Sequence, residues 1–215
     1  MTSRTIDIFN GDADGLCALH QLRLAEPCDS ELVTGPKREI ALVKRVQAQP
    51  GDRLTVLDVS LDKNREGVLA ALDAGASVRY FDHHQPGEIP EHPAFDAHID
   101  TDAEVCTSLL VNAWLGGRYL PWAVTAAFGD NLDASARRAA EPLGYDEARL
   151  DTLRTLGVCL NYNGYGESLA DLYFDPAELY RQIRPYADPL AFAAESPAYR
   201  TLKAGYADDM AQAES

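Results

Sequence analysis

The chain has 215 residues and carries 34 acidic against 19 basic side chains, which gives a formal net charge of −15 at pH 7. A protein that grips long duplex nucleic acid needs a basic surface to displace the counterions of the phosphates, and this composition makes such a surface hard to build. The length suits one sizeable core. We therefore expect one principal domain, and any phosphorylated partner is expected to be short.

The cellular location is also predicted from composition. No apolar run is long enough to span a bilayer, and the N-terminal residues enter a strand pattern at once, which leaves no room for a signal peptide. The four cysteines show no CxxC spacing, so neither disulfides nor a zinc finger are expected. We predict a cytoplasmic protein without a membrane segment.

Strand and helix patterns alternate along the first 115 residues. Strands are predicted over residues 5–9, 31–34, 54–57, 78–81 and 97–99. Helices are predicted over residues 16–25, 62–74 and 106–115, and residues 40–46 are predicted to be part of a helix. This alternation is typical of βαβ units, so we predict an α/β fold with a mostly parallel sheet flanked by helices.

Helical patterns dominate the second half of the chain. Residues 122–128 and 137–160 are predicted helices, and the Asn- and Gly-rich residues 161–166 predict a break. Residues 85–93, rich in Pro, Gly and Glu, predict a loop over the candidate site. We place one domain at residues 1–200 and a C-terminal tail or linker helix at residues 201–215.

Carboxylates and imidazoles follow three of the predicted strands, and one more aspartate follows an apolar helix. These residues are Asp12, Asp14, Asp58, Asp82, His83, His84 and Asp130. Because ligands of open parallel sheets bind beyond the carboxyl ends of the strands, we expect these side chains to converge.

A convergent set of this kind predicts a metal site. Crowded ionised carboxylates repel one another, and a bound cation relieves that repulsion. Oxygen-rich ligands with one or two imidazoles suit Mn²⁺ or Mg²⁺ better than structural zinc. Two such ions would clamp a phosphoryl group and activate water, so the pattern predicts metal-assisted phosphoester hydrolysis.

Simpler interpretations exist for each element taken alone. An aspartate after a strand, such as Asp58, is often only a helix N-cap. Thr107 and Ser108 at a predicted helix start could bind phosphate, although capping is the commoner role. Tyr162 and Tyr165 could stack on bases, although core packing is favoured. His20, His92 and His98 are not expected to be ligands.

Taken together, the motifs resemble the DHH phosphoesterase superfamily. The motifs are Asp-Ala-Asp-Gly at 12–15, Asp58, Asp82-His83-His84 and Gly129-Asp130, in that order. Members include single-strand exonucleases, hydrolases of short RNA and cyclic dinucleotides, and manganese-dependent pyrophosphatases. The resemblance covers about residues 5–200 and implies a doubly wound α/β catalytic domain.

The resemblance also implies ligand roles. Asp12 and Asp14 would each bind one of two Mn²⁺ ions, with Mg²⁺ as the alternative metal, and Asp58 would bridge the pair. His83 and Asp130 would complete the second ion site.

Further roles concern the substrate and the first ion. His84 would lie near the substrate phosphate, with Asp82 orienting a histidine or the local backbone. Many members have a histidine for the first ion where this chain has Ile8, and Asn10 could complete that site. The candidates for substrate contact are His84, Asn10, Thr107 and Ser108.

We therefore predict a Mn²⁺-dependent phosphoesterase that hydrolyses short oligonucleotides or dinucleotides. Pyrophosphate or polyphosphate hydrolysis is the alternative within the class, and a catalytically weak metal- or nucleotide-binding module is the alternative outside it. Members usually carry a second, glycine-rich and basic substrate domain that this chain does not contain. Either the chain is a catalytic-domain fragment or substrate recognition is reassigned, and a homodimer is compatible with the apolar C-terminal helices.

Overall fold

The computed structural model describes residues 3–213, and five parallel strands form its central sheet. The strands are β1 (Thr5–Phe9), β2 (Glu31–Val33), β3 (Arg53–Leu57), β4 (Ser77–Asp82) and β5 (Phe95–Ile99). Their order across the sheet is β2-β1-β3-β4-β5, with Ile8 paired to Val56. The predicted α/β fold with a parallel sheet is confirmed.

Helices cover both faces of the sheet. They are α1 (Ala13–Ala25), α2 (Leu61–Asp73), α3 (Thr107–Trp114), α4 (Leu120–Gly129), α5 (Asp133–Ala140), α6 (Glu147–Asn163), α7 (Pro176–Ile183), α8 (Pro189–Glu195) and α9 (Pro197–Ala213). Alternate strand residues enter two cores, because successive side chains of a strand point to opposite faces. Phe9 packs in the core shared with α1 and α4, whereas Ile8 packs in the smaller core shared with α2.

The prediction that residues 40–46 are part of a helix is wrong. Only a short 3-10 helix, Val43–Arg45, forms there. The side chain of Asn64 accepts a hydrogen bond from the Val43 N–H at 3.0 Å and donates one to the Ile40 carbonyl at 2.7 Å. These bonds satisfy the backbone of the segment without an α-helix.

The single helix predicted over residues 137–160 is also wrong. The chain forms two helices there, α5 and α6, joined by a short 3-10 helix at Glu141–Leu143. Pro142 lacks a backbone N–H, and Gly144 adopts a left-handed backbone with φ of 60°, so the helix cannot continue. Asp146 then caps α6 by accepting a hydrogen bond from the Arg149 N–H at 2.9 Å.

The C-terminal helix α9 begins before residue 200 and packs on the domain, whereas a tail or linker helix is predicted for residues 201–215. Tyr199, Leu202 and Gly205 are buried, and α9 packs against α6. Burial of these residues stabilises the packing of α9 against the rest of the domain. The predicted boundary at residue 200 therefore falls inside one helix. Residues 214–215 lie outside the described part of the chain. The division into two units stays a prediction.

Within residues 3–213, no helix has both the length and the apolar character that crossing a membrane requires.

Candidate metal centre

The candidate site lies where the strand order reverses. β1 and β3 are neighbours, but β2 follows on one side of them and β4 on the other, so a crevice opens beyond their carboxyl ends. Asp12 follows β1, Asp58 follows β3 and His83 follows β4. The predicted convergence of these strand ends is observed.

His83 lies at the centre of the cluster. Its Nε2 atom is 3.4 Å from Asp58 Oδ1, 3.8 Å from Asp130 Oδ2 and 3.9 Å from Asp14 Oδ2. Among the described residues, two groups of three side chains could each hold an ion, because the donor atoms within each group all lie within 4.8 Å of one another. The groups are Asp58 with His83 and His84, and Asp14 with His83 and Asp130.

The first turn of α3 holds two of these carboxylates in place. The backbone N–H groups of Thr107 and Ser108 each donate to Asp14 at 2.7 Å, and the Thr107 hydroxyl donates to Asp58 at 3.1 Å. Both residues are fully buried, and neither side chain caps α3. These observed donors serve the acidic residues, so a direct contact of Thr107 or Ser108 with substrate stays a prediction.

Two backbone features aim the acidic side chains. Asp58 adopts a left-handed conformation with φ of 60°, which is uncommon outside glycine and tolerated best by Asp and Asn. Such conformations concentrate at functional sites, where surrounding contacts compensate for the strain. Gly15 lies against the carbonyl of Asn10, so any larger residue there would displace the loop that carries Asp12 and Asp14.

The electrostatics of the cluster favour a cation. Burial, reinforced by Asp14 and Asp12, raises the pKa of Asp58 well above its usual range. Burial and the charge of Asp14 raise the pKa of Asp130 to about 6. Both shifts mean that the surrounding side chains do not fully balance the negative charges of the ionised carboxylates. The oxygen and imidazole donors present fit Mn²⁺ or Mg²⁺.

Asp82 contacts His84 as the resemblance implied. Its Oδ1 atom is 2.6 Å from His84 Nδ1, and this hydrogen bond raises the pKa of His84. Asp82 is fully buried, whereas 45% of the His84 side chain is exposed. The pair therefore has the geometry of a buried carboxylate that orients an accessible imidazole.

Lys37 is the site residue that the sequence reasoning missed. Its Nζ atom is 2.8 Å from Asp12 Oδ2, 3.7 Å from Asp130 Oδ1 and 3.1 Å from Asn161 Oδ1, to which it donates. Burial alone would lower the pKa of Lys37, but Asp12 and Asp130 raise it above its usual value. One signal was present, because Lys37 follows the carboxyl end of β2 at the same edge of the sheet.

The two positions that concern the first ion site, Ile8 and Asn10, are both buried. Ile8 is fully buried in the core beside α2 and offers no donor. Asn10 is buried, its N–H donates to the Leu57 carbonyl at 3.2 Å, and its Oδ1 atom has no hydrogen-bond partner among the described residues.

The three remaining histidines, His20, His92 and His98, belong to neither donor group of the described residues. His20 is buried against Trp122, and its Nε2 atom lies 2.6 Å from the Tyr186 carbonyl oxygen. His98 stacks on Phe81 and contacts Asp96.

Comparison with known proteins relates this chain to others by structure only. No family model matches the sequence, and no curated protein matches it either. A crystal structure of exonuclease RecJ bound to manganese is similar with a TM-score of 0.58 and 16% identity, covering 94% of this chain and 60% of that one. RecJ in complex with Mn²⁺ from Thermus thermophilus matches with a TM-score of 0.46 and 16% identity, covering 83% of this chain and 34% of that one. The chain thus shares a fold with RecJ and spans less than two thirds of those proteins.

Proposed function

We propose that this protein is a metal-dependent phosphoesterase that uses Mn²⁺ to hydrolyse phosphodiester bonds of short oligonucleotides or dinucleotides. The observation that carries the proposal is the convergence of Asp14, Asp58, His83 and Asp130 at the carboxyl edge of the sheet. The RecJ-like fold supports it, because the exonuclease that shares this fold is bound to manganese.

The same four residues would hold the metal. Their carboxylates supply hard oxygen donors, and the His83 imidazole adds the nitrogen donor that favours Mn²⁺ over Ca²⁺. A bound divalent ion would supply acidified water and would withdraw charge from the phosphoryl group. Thr107 and Ser108 position Asp14 and Asp58 through the hydrogen bonds described above.

His84 is proposed to contact the scissile phosphate. Its exposed imidazole is oriented by Asp82, and a protonated ring would neutralise charge that develops on the phosphoryl oxygens. Asn10 is proposed as a substrate or ion contact, since its Oδ1 atom lacks a partner in the described part of the chain.

A cavity beside the centre supports a nucleotide substrate. It has a volume of about 520 Å³ and is lined by Lys37, Arg38 and the loop from Gly164 to Glu167. The Tyr165 ring within that loop is 57% exposed and offers a face on which a base can stack. The two basic side chains would attract phosphate in an otherwise acidic protein.

The test is Mn²⁺-dependent product release from a dinucleotide, a short oligoribonucleotide, pyrophosphate and polyphosphate. Asp58→Asn keeps the shape and the left-handed preference of residue 58 but removes a ligand charge, and we expect about a 1,000-fold loss of turnover. Asp96→Asn, which changes an exposed aspartate outside the cluster, is the matched control.

Each outcome decides between the candidate functions. Turnover of either nucleotide substrate that Asp58→Asn abolishes supports the proposal. Turnover of pyrophosphate or polyphosphate alone favours the phosphoanhydride alternative, in which the Tyr165 ring has no role. Tight Mn²⁺ binding without turnover of any substrate would favour a binding module.

A further inference from the structure

We propose that the Lys37 ammonium takes the place of the first of the two expected ions, so that the centre holds one divalent ion, bound by Asp14, Asp58, His83 and Asp130. This inference rests on the proposed function for the identity of the bound ion. It assigns to Lys37 the part that a first metal ion would otherwise have, which is to compensate Asp12 and to present positive charge to the substrate.

The contacts of Asp12 are the first observation. Its Oδ1 atom accepts the N-cap hydrogen bond of α1 from the Gly15 N–H at 3.1 Å, and its Oδ2 atom lies 2.8 Å from Lys37 Nζ. Asp12 belongs to neither donor group found in the described residues. Ile8, which stands where a histidine would serve the first ion, is buried in the core and offers no donor, so Asn10 is the one remaining side chain expected to complete that site.

Lys37 is fixed at this position rather than free in solvent. Its backbone N–H donates to the Gly164 carbonyl at 2.8 Å, and its Nζ atom donates to the buried Asn161 side chain at 3.1 Å. The ammonium also lies 5.5 Å from the centre of the Tyr165 ring, within the range of a cation–π contact. Only 29% of the side chain is exposed. Several independent contacts would have to break before an ion could replace the ammonium.

Asp130 divides its two oxygens between the ammonium and the ion site. Oδ1 lies 3.7 Å from Lys37 Nζ, whereas Oδ2 lies 3.8 Å from His83 Nε2. A second divalent ion next to Asp12 would therefore lie within a few ångströms of a fixed positive charge, and charges of one sign at that distance repel strongly in a partly buried site. Both donor groups that could hold an ion include His83, so the remaining donors suffice for one ion.

The test counts bound Mn²⁺ rather than activity. Equilibrium dialysis with metal analysis gives the stoichiometry, and electron paramagnetic resonance distinguishes an isolated Mn²⁺ from a spin-coupled pair. We expect one isolated Mn²⁺ per wild-type chain and a coupled pair in Lys37→Met, which keeps the aliphatic stem but removes the charge. Arg38→Met is the matched control and should keep one ion, because Arg38 contacts the exposed Glu167 instead of the cluster.

The outcomes separate this inference from the proposed function. Two coupled ions in the wild type overturn the inference and leave the phosphoesterase proposal standing. No bound ion in the wild type overturns both. A folded Lys37→Met protein that still binds one ion shows that the ammonium does not exclude the second ion, and also overturns the inference.

A second pair of variants keeps the inference testable if Lys37→Met fails to fold. Asp12→Asn retains the N-cap acceptor, whereas Asp14→Asn keeps the size of its parent but can accept only one of the two hydrogen bonds from the Thr107 and Ser108 N–H groups. We expect Asp14→Asn to weaken Mn²⁺ binding at least 100-fold and Asp12→Asn to change it less than about tenfold, since only Asp14 contacts the ion. Equal losses in the two variants overturn the inference.

Discussion

Two sets of buried aspartates in this sheet have opposite surroundings. Asp7 in the middle of β1 accepts a hydrogen bond from Arg23 Nε at 2.8 Å, and Asp52 just before β3 lies 2.6 Å from an Arg4 guanidinium nitrogen. We call these the paired aspartates. The edge aspartates, Asp14, Asp58 and Asp130, lie beyond the carboxyl ends of the strands, and within residues 3–213 no arginine forms an ion pair with them.

The difference shows what separates a structural carboxylate from a functional one. The hydrogen bond from Arg4 lowers the pKa of Asp52 to about 2, whereas burial and neighbouring carboxylates raise the pKa of Asp130 to about 6. Asp52 has an arginine partner and Asp130 does not. Among the described residues, Asp14 and Asp58 have no lysine or arginine partner and Asp130 has only Lys37 at 3.7 Å, and this shortage of counter-charge is what calls for a cation.

The largest expected effect comes from breaking a paired aspartate. Asp7→Asn leaves the Arg23 side chain, which is only 9% exposed, without its counter-charge. We expect a loss of about 3–5 kcal/mol in the free energy of unfolding, measured by urea denaturation, because an uncompensated charge stays buried. Mn²⁺ affinity should stay unchanged. A loss below about 1 kcal/mol would contradict the structural role of the pair.

His20 is a buried titratable side chain that needs no counter-charge, because it is neutral in the folded protein, and it provides a third case beside the two sets of aspartates. Burial lowers the pKa of His20 from 6.5 to about 4, so between these values the unfolded chain binds a proton that the folded protein does not. Stability therefore falls as the pH drops from about 6.5 towards 4, by about 3 kcal/mol in total. His20→Gln, which can still donate to the Tyr186 carbonyl, should remove this part of the pH dependence.

The check is the free energy of unfolding as a function of pH for wild type and His20→Gln. His98→Gln serves as the control, because the His98 side chain is 31% exposed and contacts Asp96. If wild type and His20→Gln show parallel curves between about pH 4 and 7, His20 is not buried in its neutral form.

Mn²⁺ should stabilise the protein through the edge aspartates only. At a free concentration of about 100 times the dissociation constant, an ion that binds only the folded state adds about 2.7 kcal/mol. Wild type and Asp7→Asn should show this gain in thermal or urea unfolding, and Asp58→Asn should not. Without metal, Asp58→Asn should be more stable than wild type, because it removes repulsion among the carboxylates. An equal gain from Mn²⁺ in Asp58→Asn would place the ion elsewhere.

The smallest expected effect concerns orientation of His84. Asp82→Asn should lower kcat about 10- to 100-fold with little change in KM, because the imidazole is still present but less well oriented. Combining Asp82→Asn with His84→Asn should cost no more than His84→Asn alone, since both act through one group. Asp96→Asn is the matched control, because Asp96 also contacts the histidine two residues away, through its Nε2 atom, without belonging to the cluster.

The strands and most of the cluster could be predicted from the sequence for one reason. Each acidic or histidine motif directly follows an apolar run, and parallel strands bring their carboxyl ends to one edge. Asp14, Asp58 and His83 therefore meet as expected, although their roles as ligands stay predictions. Asp130 follows an apolar helix and reaches the same crevice through the packing of α4 on α1.

The site features that the sequence did not predict depend on tertiary contacts between residues far apart in the chain, and such contacts produce little local sequence pattern. Lys37 follows a strand of only three residues, and Asn161, to which it donates a hydrogen bond, is 124 positions away in sequence. The bonds from Thr107 and Ser108 to Asp14 span more than 90 positions. The backbone of residues 40–46 is likewise determined by Asn64, a residue of the next helix.

The close contact between α4 and α6 makes the position of Asp130 depend on Gly157, a residue without a side chain. A side chain at Gly157 would collide with the Thr125 carbonyl and with the backbone nitrogen of Gly129, the residue before Asp130. A single methyl group at position 157 would thus push α4 outward and move the Asp130 carboxylate with it. The distance between these two helix backbones therefore sets the position of Asp130 in the crevice. A substitution at Gly157 can disturb the centre although residue 157 contacts neither metal nor substrate.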